Sequence, residues 1–267
     1  MSSFIAALPM YDWPERLADV EAEWARLRDA LRMEGVDAPE NLVRRNADLP
    51  AAPGGIRDAD GVIAPDPASL PPDELDLHTL WRHPNLLFAQ TCWGPMELGM
   101  ARHVRVIGQP SYDGFEGGQG PYYSSAILMR RGDPVPAPAD GEPAIPLDLL
   151  SGKRLAFNST DSMSGIIALT RDLAAVGESF DIFSRRVETG GHRDSIVAVA
   201  EGGADVCAID CRTWDIARRH EPAASGLQPV GWTGRRKGLP YITAASTPDG
   251  VAAKLCAALE NRSASPA

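Results

Sequence analysis

Apolar residues fall into short runs and helical stripes that alternate along the chain. Phe4 to Met10 has the length of one buried strand, and Leu17, Val20, Trp24, Leu27 and Leu31 then recur at the spacing of a helix over Trp13 to Met33. Pro14 sits at the first turn, where its missing N–H costs nothing, and Gly35 follows the last apolar position as a stop. Asn41 to Arg45 predicts a second short strand, and Leu49 to Pro72, rich in Pro, Gly, Ala and Asp without periodicity, predicts a mobile loop. Beyond it the pattern predicts a helix over Asp73 to Trp81 and a strand over Asn85 to Thr91. A turn at Trp93-Gly94-Pro95 then opens another helix, and Val104 to Gly108 and Tyr122 to Arg130 read as strands. Tyr112 to Gly120 is a glycine-rich loop, and the proline-rich Gly132 to Pro146 reads as a surface excursion.

A second series begins at Leu147. Strands are predicted at Arg154 to Asn158, Phe180 to Thr189 and Asp205 to Asp210, and helices at Ser162 to Val176, His192 to Ala200 and Trp214 to His220. Leu227 to Thr233 and Leu239 to Ala245 are the last strands, and Thr247 to Glu260 is a closing helix that is expected to return to the first block. Alternating strands and helices predict an α/β fold with a parallel or mixed sheet covered on both faces.

The 267 residues are 44% hydrophobic and 23% charged, a globular composition with room for one large domain or two ordinary ones. A net charge of −10 argues against a nucleic-acid surface, although a small anion held by local dipoles is not repelled in the same way. No apolar run approaches the length that spans a bilayer. The opening MSSFIAALPM has no basic segment and a short apolar stretch, so the chain as written is expected in the cytoplasm. Cys92, Cys207, Cys211 and Cys256 are too scattered for a disulfide framework or a zinc ribbon and read as buried thiols. Nucleophile-elbow, Walker, zinc-protease and dinucleotide signatures are absent, and no cofactor is called for.

The candidate chemistry lies at turns where strands run into helices. Leu155 to Gly165 passes from a strand through a hydroxyl-rich turn into a helix near Ser162, whose free N–H groups and dipole suit an anion. Ser162 and Ser164 offer hydroxyl donors and Gly165 offers close approach; the alternative is an ordinary cap by Asp161 or Ser162. A second such turn, Thr189 to Ser195, places His192 at a helix start, and Asp210 ends a neighbouring strand as either a helix cap or a ligand acceptor. In an open α/β sheet all of these fall beyond the carboxyl ends of the strands. In the first block Tyr11-Asp12-Trp13, Thr91-Cys92-Trp93 and Tyr112 put polar-tipped aromatics at strand ends, as in a cleft wall.

Ser162-x-Ser164-Gly165, followed by Gly191-His192-x-x-Ser195-x-x-Ala198-Val199-x-x-Gly202-x-Ala204-Asp205-Val206-x-x-Ile209-Asp210, resembles the phosphate, phosphite and phosphonate substrate-binding proteins of ABC transporters. Leu8-Pro9-Met10-Tyr11, Gln90-Thr91-Cys92 and Tyr123-x-Ser125-x-Ile127 extend the resemblance over most of the chain. It implies a type II periplasmic-binding-protein fold, two α/β lobes joined by a two-strand hinge with the ligand cleft between them. The first lobe would comprise residues 1–121 and 234–267 and the second residues 122–233, with the crossings in Tyr122 to Arg130 and Leu227 to Thr233. The resemblance puts an anionic head group on Ser162, Met163, Ser164 and Gly165 and on His192. Tyr11, Thr91, Trp93 and Tyr123 join as further ligand residues, and Asp210 matches an acid that holds an amino group in aminophosphonate binders. Met163 stands where the family often has a hydroxyl, and no second acid for an amino group is evident. The implied activity is non-catalytic binding of a small anionic solute, with an ABC permease as partner and a periplasmic location if an export segment precedes this sequence. Two other readings stay open: an enzyme with His192 as base and Cys92 or a serine as nucleophile, and a cytoplasmic ligand sensor.

Overall fold

A computed structural model describes residues 4–132 and 139–264. Along the chain come β1 (Ile5–Ala7), α1 (Leu17–Met33), β2 (Ile56–Asp58), β3 (Gly61–Ala64), α2 (Leu77–Arg82), β4 (Leu86–Gln90), α3 (Trp93–Glu97) and β5 (Val104–Gly108). The middle adds β6 (Gly118–Gln119), β7 (Tyr122–Tyr123), β8 (Ser125–Arg130), α4 (Leu147–Leu150), β9 (Arg154–Phe157) and α5 (Ala168–Ala175). Then follow β10 (Arg185–Glu188), α6 (His192–Ala200), β11 (Val206–Asp210), α7 (Cys211–His220), β12 (Leu227–Trp232), β13 (Arg236–Lys237), β14 (Tyr241–Ala244) and α8 (Asp249–Ala264). Two compact units result. Unit 1 takes Met1–Thr91, Pro95–Gln109 and Leu239–Ala267, and unit 2 takes Cys92–Gly94 and Pro110–Gly238.

Unit 1 is built on a sheet of order β1-β4-β14-β5, with β1 parallel to β4 and β14 antiparallel to both of its neighbours. Helix α1 buries Val20, Trp24, Leu27 and Leu31 against it, the stripe expected from the spacing, while Leu17 at the helix start is 42% exposed. Gly35 ends α1 in the left-handed region at φ 76°. Its N–H reaches Arg32 O and that of Val36 reaches Leu31 O, a paired closure that satisfies two orphan carbonyls. Trp24 stacks on Phe88, which meets Tyr241 at 5.1 Å between ring centres, and Leu255 and Ala258 of α8 complete this core.

Two expectations in unit 1 are corrected. Asn41 to Arg45 is not a strand, although the Val43 N–H donates to Ala6 O alongside the edge strand β1. The Leu49 to Pro72 stretch is not structureless: β2 and β3 form a hairpin, turned at Asp58-Ala59-Asp60-Gly61. Asp58 Oδ1 accepts from the Asp60 N–H and Gly61 supplies φ 135°, a turn chemistry hidden beneath the loop-like composition.

Unit 2 carries a five-stranded sheet of order β10-β9-β11-β8-β12. β9, β10 and β11 run parallel, and β8 is antiparallel to both β11 and β12. Strand β11 is buried at every position, as parallel strands covered on both faces are, and its neighbours pack Leu155, Leu169, Leu173, Ile127 and Val206 into one core. The expected single strand Tyr122 to Arg130 breaks at Ser124: β7 joins a small sheet with β6 and β13, and β8 enters the main sheet. The strand expected over Phe180 to Thr189 shortens to the charged edge β10, because Phe180 and Phe183 turn inward on the core through a short 3-10 turn. Of the excursion Gly132 to Pro146, residues 133–138 lie outside the described part, and Ala144 bridges to Trp232.

Candidate functional site

Three parallel strands of unit 2 finish on one edge, at Asn158 after β9, Thr189 after β10 and Asp210 at the end of β11. Strand β8 runs the other way, so its first residues arrive at the same edge, with Ser125 opposite Asp210. The helices that follow the parallel strands start there and aim their amide ends at it.

After β9 the chain turns through Ser162, which caps the helix by accepting the Gly165 N–H on Oγ at 3.0 Å. The first turn, Met163–Ile167, is wound wide, with the Ile167 N–H reaching Ser162 O, before the regular α5 begins. Asn158 Oδ1 occupies the space in front of Gly165, where an added Cβ would lie 2.1 Å from it. The Met163 N–H is taken by Cys92 Sγ at 3.3 Å. Gly94 lets the Cys92–Gly94 segment press on the preceding turn, since a Cβ at Gly94 would come within 1.7 Å of Asp161 O.

Ser164 Oγ lies 2.8 Å from His192 Nε2, and the Tyr123 hydroxyl also bonds to Ser164. His192 opens α6, and its Nε2 is 3.6 Å from Asp210 Oδ2. Burial pushes the His192 imidazole below its ordinary range and the Asp210 charge draws it partly back, so it is neutral at pH 7. Burial raises the Tyr123 phenol well above its usual value, with Cys92, Asp210 and Tyr112 acting in the same direction, and it remains a proton donor. Asp210 Oδ1 meanwhile caps α7 by accepting the Thr213 N–H at 2.9 Å. Ser195 Oγ is held by Gly191 O and Thr189 Oγ1, which makes it a turn lock.

Ser162, Met163, Ser164, Gly165, Tyr123, Trp93, His192 and Asp210 all belong to unit 2. The Trp93 indole N–H donates to Gly238 O at 2.6 Å, and Lys237 Nζ stands 5.8 Å from its ring centre. Tyr11 and Thr91 belong to unit 1. Tyr11 is 3% exposed, and Thr91 is buried at the end of β4 with its N–H on Pro240 O.

Among the described residues, buried polar atoms without a partner include, at the strand ends and adjoining helix start of unit 2, Ser124 Oγ, Ser125 Oγ, Asn158 Oδ1 and His192 Nδ1, and at strand ends of unit 1, Gln90 Nε2, Thr91 Oγ1 and Gln109 Nε2; Trp24 Nε1, Thr79 Oγ1, Trp214 Nε1 and Arg235 Nε lie elsewhere. Ser124 and Gln109 carry no local signal in the sequence, since each is one polar residue closing an apolar run, and Gln90 and Asn158 enter it only as members of the Gln90-Thr91-Cys92 motif and the Leu155 to Gly165 turn, without a role of their own. Cys92 is no activated nucleophile. Its thiol is raised by burial, and the N–H donors of Gly94 and Met163 do not offset that. Among the described residues no group of three His, Cys, Asp or Glu is placed to hold a metal, and no helix is long and apolar enough to cross a membrane.

Residues 96–266 match the family described as the phosphonate periplasmic substrate-binding protein of ABC transporters. The methylphosphonate complex of PhnD1 from Prochlorococcus marinus is similar over 97% of this chain and 84% of that one, with 16% identity and a TM-score of 0.62. An ATP-bound protein from Xanthomonas citri is similar over 100% and 85%, with 14% identity and a TM-score of 0.60. A binding-protein component of a phosphonate ABC transporter from Pseudomonas aeruginosa is similar over 96% and 73%, with 14% identity and a TM-score of 0.61. No curated protein matches in sequence. The structural likeness shows the fold of type II periplasmic binding proteins. The family is one of non-catalytic, periplasmic solute-binding proteins that work with a permease. With more than half of its length matched, the chain belongs to the family of phosphonate substrate-binding proteins of ABC transporters.

Proposed function

We propose that the protein binds a small phosphorus oxyanion at the strand-end edge of unit 2 and delivers it to an ABC permease in the periplasm. The observation that carries this reading is the convergence on one edge of a helix start, the Ser164–His192 pair, the protonated Tyr123 phenol and four unpartnered buried polar atoms. Buried polar groups are ordinarily satisfied, so such a concentration marks a place that a ligand completes. Donors predominate in it: helix N–H groups, the Ser164 and Tyr123 hydroxyls, and an imidazole able to bind a proton when an anion arrives. Methylphosphonate and ATP, held by two of the similar structures, share a tetrahedral phosphorus bearing charged oxygens, and that head group suits these donors.

Calorimetric titration with methylphosphonate, inorganic phosphate and sulfate tests it. A phosphorus oxyanion is expected to bind, and Ser164→Ala and His192→Ala are each expected to weaken binding about 10- to 100-fold, the worth of one charge-assisted hydrogen bond. Binding untouched by both substitutions, or none in the wild type, would remove the site.

A further inference from the structure

We infer that Cys92 sets the affinity of the anion site by occupying a helix amide that the ligand would otherwise use. The inference rests on the reading of the helix start as the anion's seat. Of the first three amides of that helix, Met163 donates to Cys92 Sγ at 3.3 Å and Gly165 donates to Ser162 Oγ at 3.0 Å. The Met163 side chain is buried and bears no hydrogen-bonding hydrogen, so the backbone N–H is all that this position offers an anion. The thiol therefore takes the whole contribution of one residue of the cradle.

The contact is held in place. Cys92 also accepts from the Gly94 N–H, and Gly94 is packed so closely on Asp161 O that no side chain fits between them. Trp93 anchors the same segment through its bond to Gly238 O. The thiol stays protonated, because burial raises it and the charges of Asp161 and Asp210 act in the same direction. A neutral sulfur is a weak acceptor, and a phosphorus oxyanion is a strong one, so the ligand displaces the thiol at a cost in affinity. A substrate-binding protein must release its ligand as well as capture it, and a built-in competitor for one donor moderates the grip without removing the donor.

Cys92→Ala removes the competitor and Cys92→Ser retains one, with an oxygen in place of the sulfur. Titration of wild type and both variants with methylphosphonate and inorganic phosphate, with thermal melts to confirm folding, separates the outcomes. Cys92→Ala is expected to bind about tenfold tighter than wild type, and Cys92→Ser is expected to stay within about threefold of wild type or to bind more weakly. Wild-type binding with no tightening in Cys92→Ala, or equal tightening in both variants, would overturn the competition while leaving the anion site standing. Absence of binding in all three proteins would overturn the anion site, and this inference with it.

Discussion

Asp210 uses its two oxygens differently. Oδ1 accepts the Thr213 N–H as the cap of α7, and Oδ2 faces the His192 imidazole. Asn retains an acceptor for the cap and Ala does not, so Asp210→Ala is expected to lower stability by about 1–2 kcal/mol in urea unfolding, and Asp210→Asn by clearly less. An equal loss in the two would show that the charge beside His192, not the cap, is what stabilises. At this scale the sequence was partly legible. Hydroxyls and a histidine at strand-to-helix turns announced Ser162, Ser164 and His192, because helix starts have a local residue signature. The thiol on the Met163 amide was not legible, since 71 residues separate the partners and only the fold brings them together. Ser124 and Asn158 were not legible because a single polar residue at the end of an apolar run carries no local signal of a role.

Among the elements, α1 shows what periodicity can and cannot say. Its apolar spacing includes Leu17, yet that side chain is 42% exposed and Leu27 is 1% exposed. Leu27→Ala is therefore expected to cost about 2–5 kcal/mol by transfer and cavity terms, and Leu17→Ala less than about 0.5 kcal/mol, by the shift of the urea midpoint. Comparable losses would mean that the first turn packs as the stripe alone suggests. Strands β4, β5 and β11 and helix α6 were readable because each is an apolar run or stripe bounded by turn residues. Hairpin β2–β3 was not, since its three- and four-residue strands are too short to show an apolar alternation and only the Asp-x-Asp-Gly turn betrays it. The break at Ser124 was invisible too, as Tyr122 to Arg130 is uniformly strand-like and the change of sheet is decided by tertiary pairing.

For the molecule as a whole, acidity acts in two steps. Burial holds His83 and His192 below the ordinary histidine value, and His103 shifts the same way through desolvation and the neighbouring Arg102 and Arg82 charges. The unfolded chain takes up protons at these positions near pH 6.5 while the folded one does not, so their contribution is present above about pH 6.5 and is lost as pH falls through the depressed native values. Asp205, held well below the usual carboxylate range by hydrogen bonds from Arg154 and Arg130, contributes above about pH 3.9 and loses that contribution in stronger acid. Urea midpoints are expected to be flat from pH 8 to 7 and to fall between pH 6.5 and 5. A midpoint unchanged at pH 5 would show that the three histidines protonate as freely in the fold as in the unfolded chain.

The order of strands in unit 1 bears on how the molecule is made. β14 lies between β4 and β5, yet it follows every other described strand in sequence, whereas the main sheet of unit 2 is complete at Trp232. Until residues 241–244 pair, β4 and β5 have no strand to join them, and the apolar Leu87 and Phe88 lack both Tyr241 and the cover of α8. Such long-range closure is slow and leaves sticky edges open, so the sheet of unit 1 is expected to close after that of unit 2 on refolding from urea.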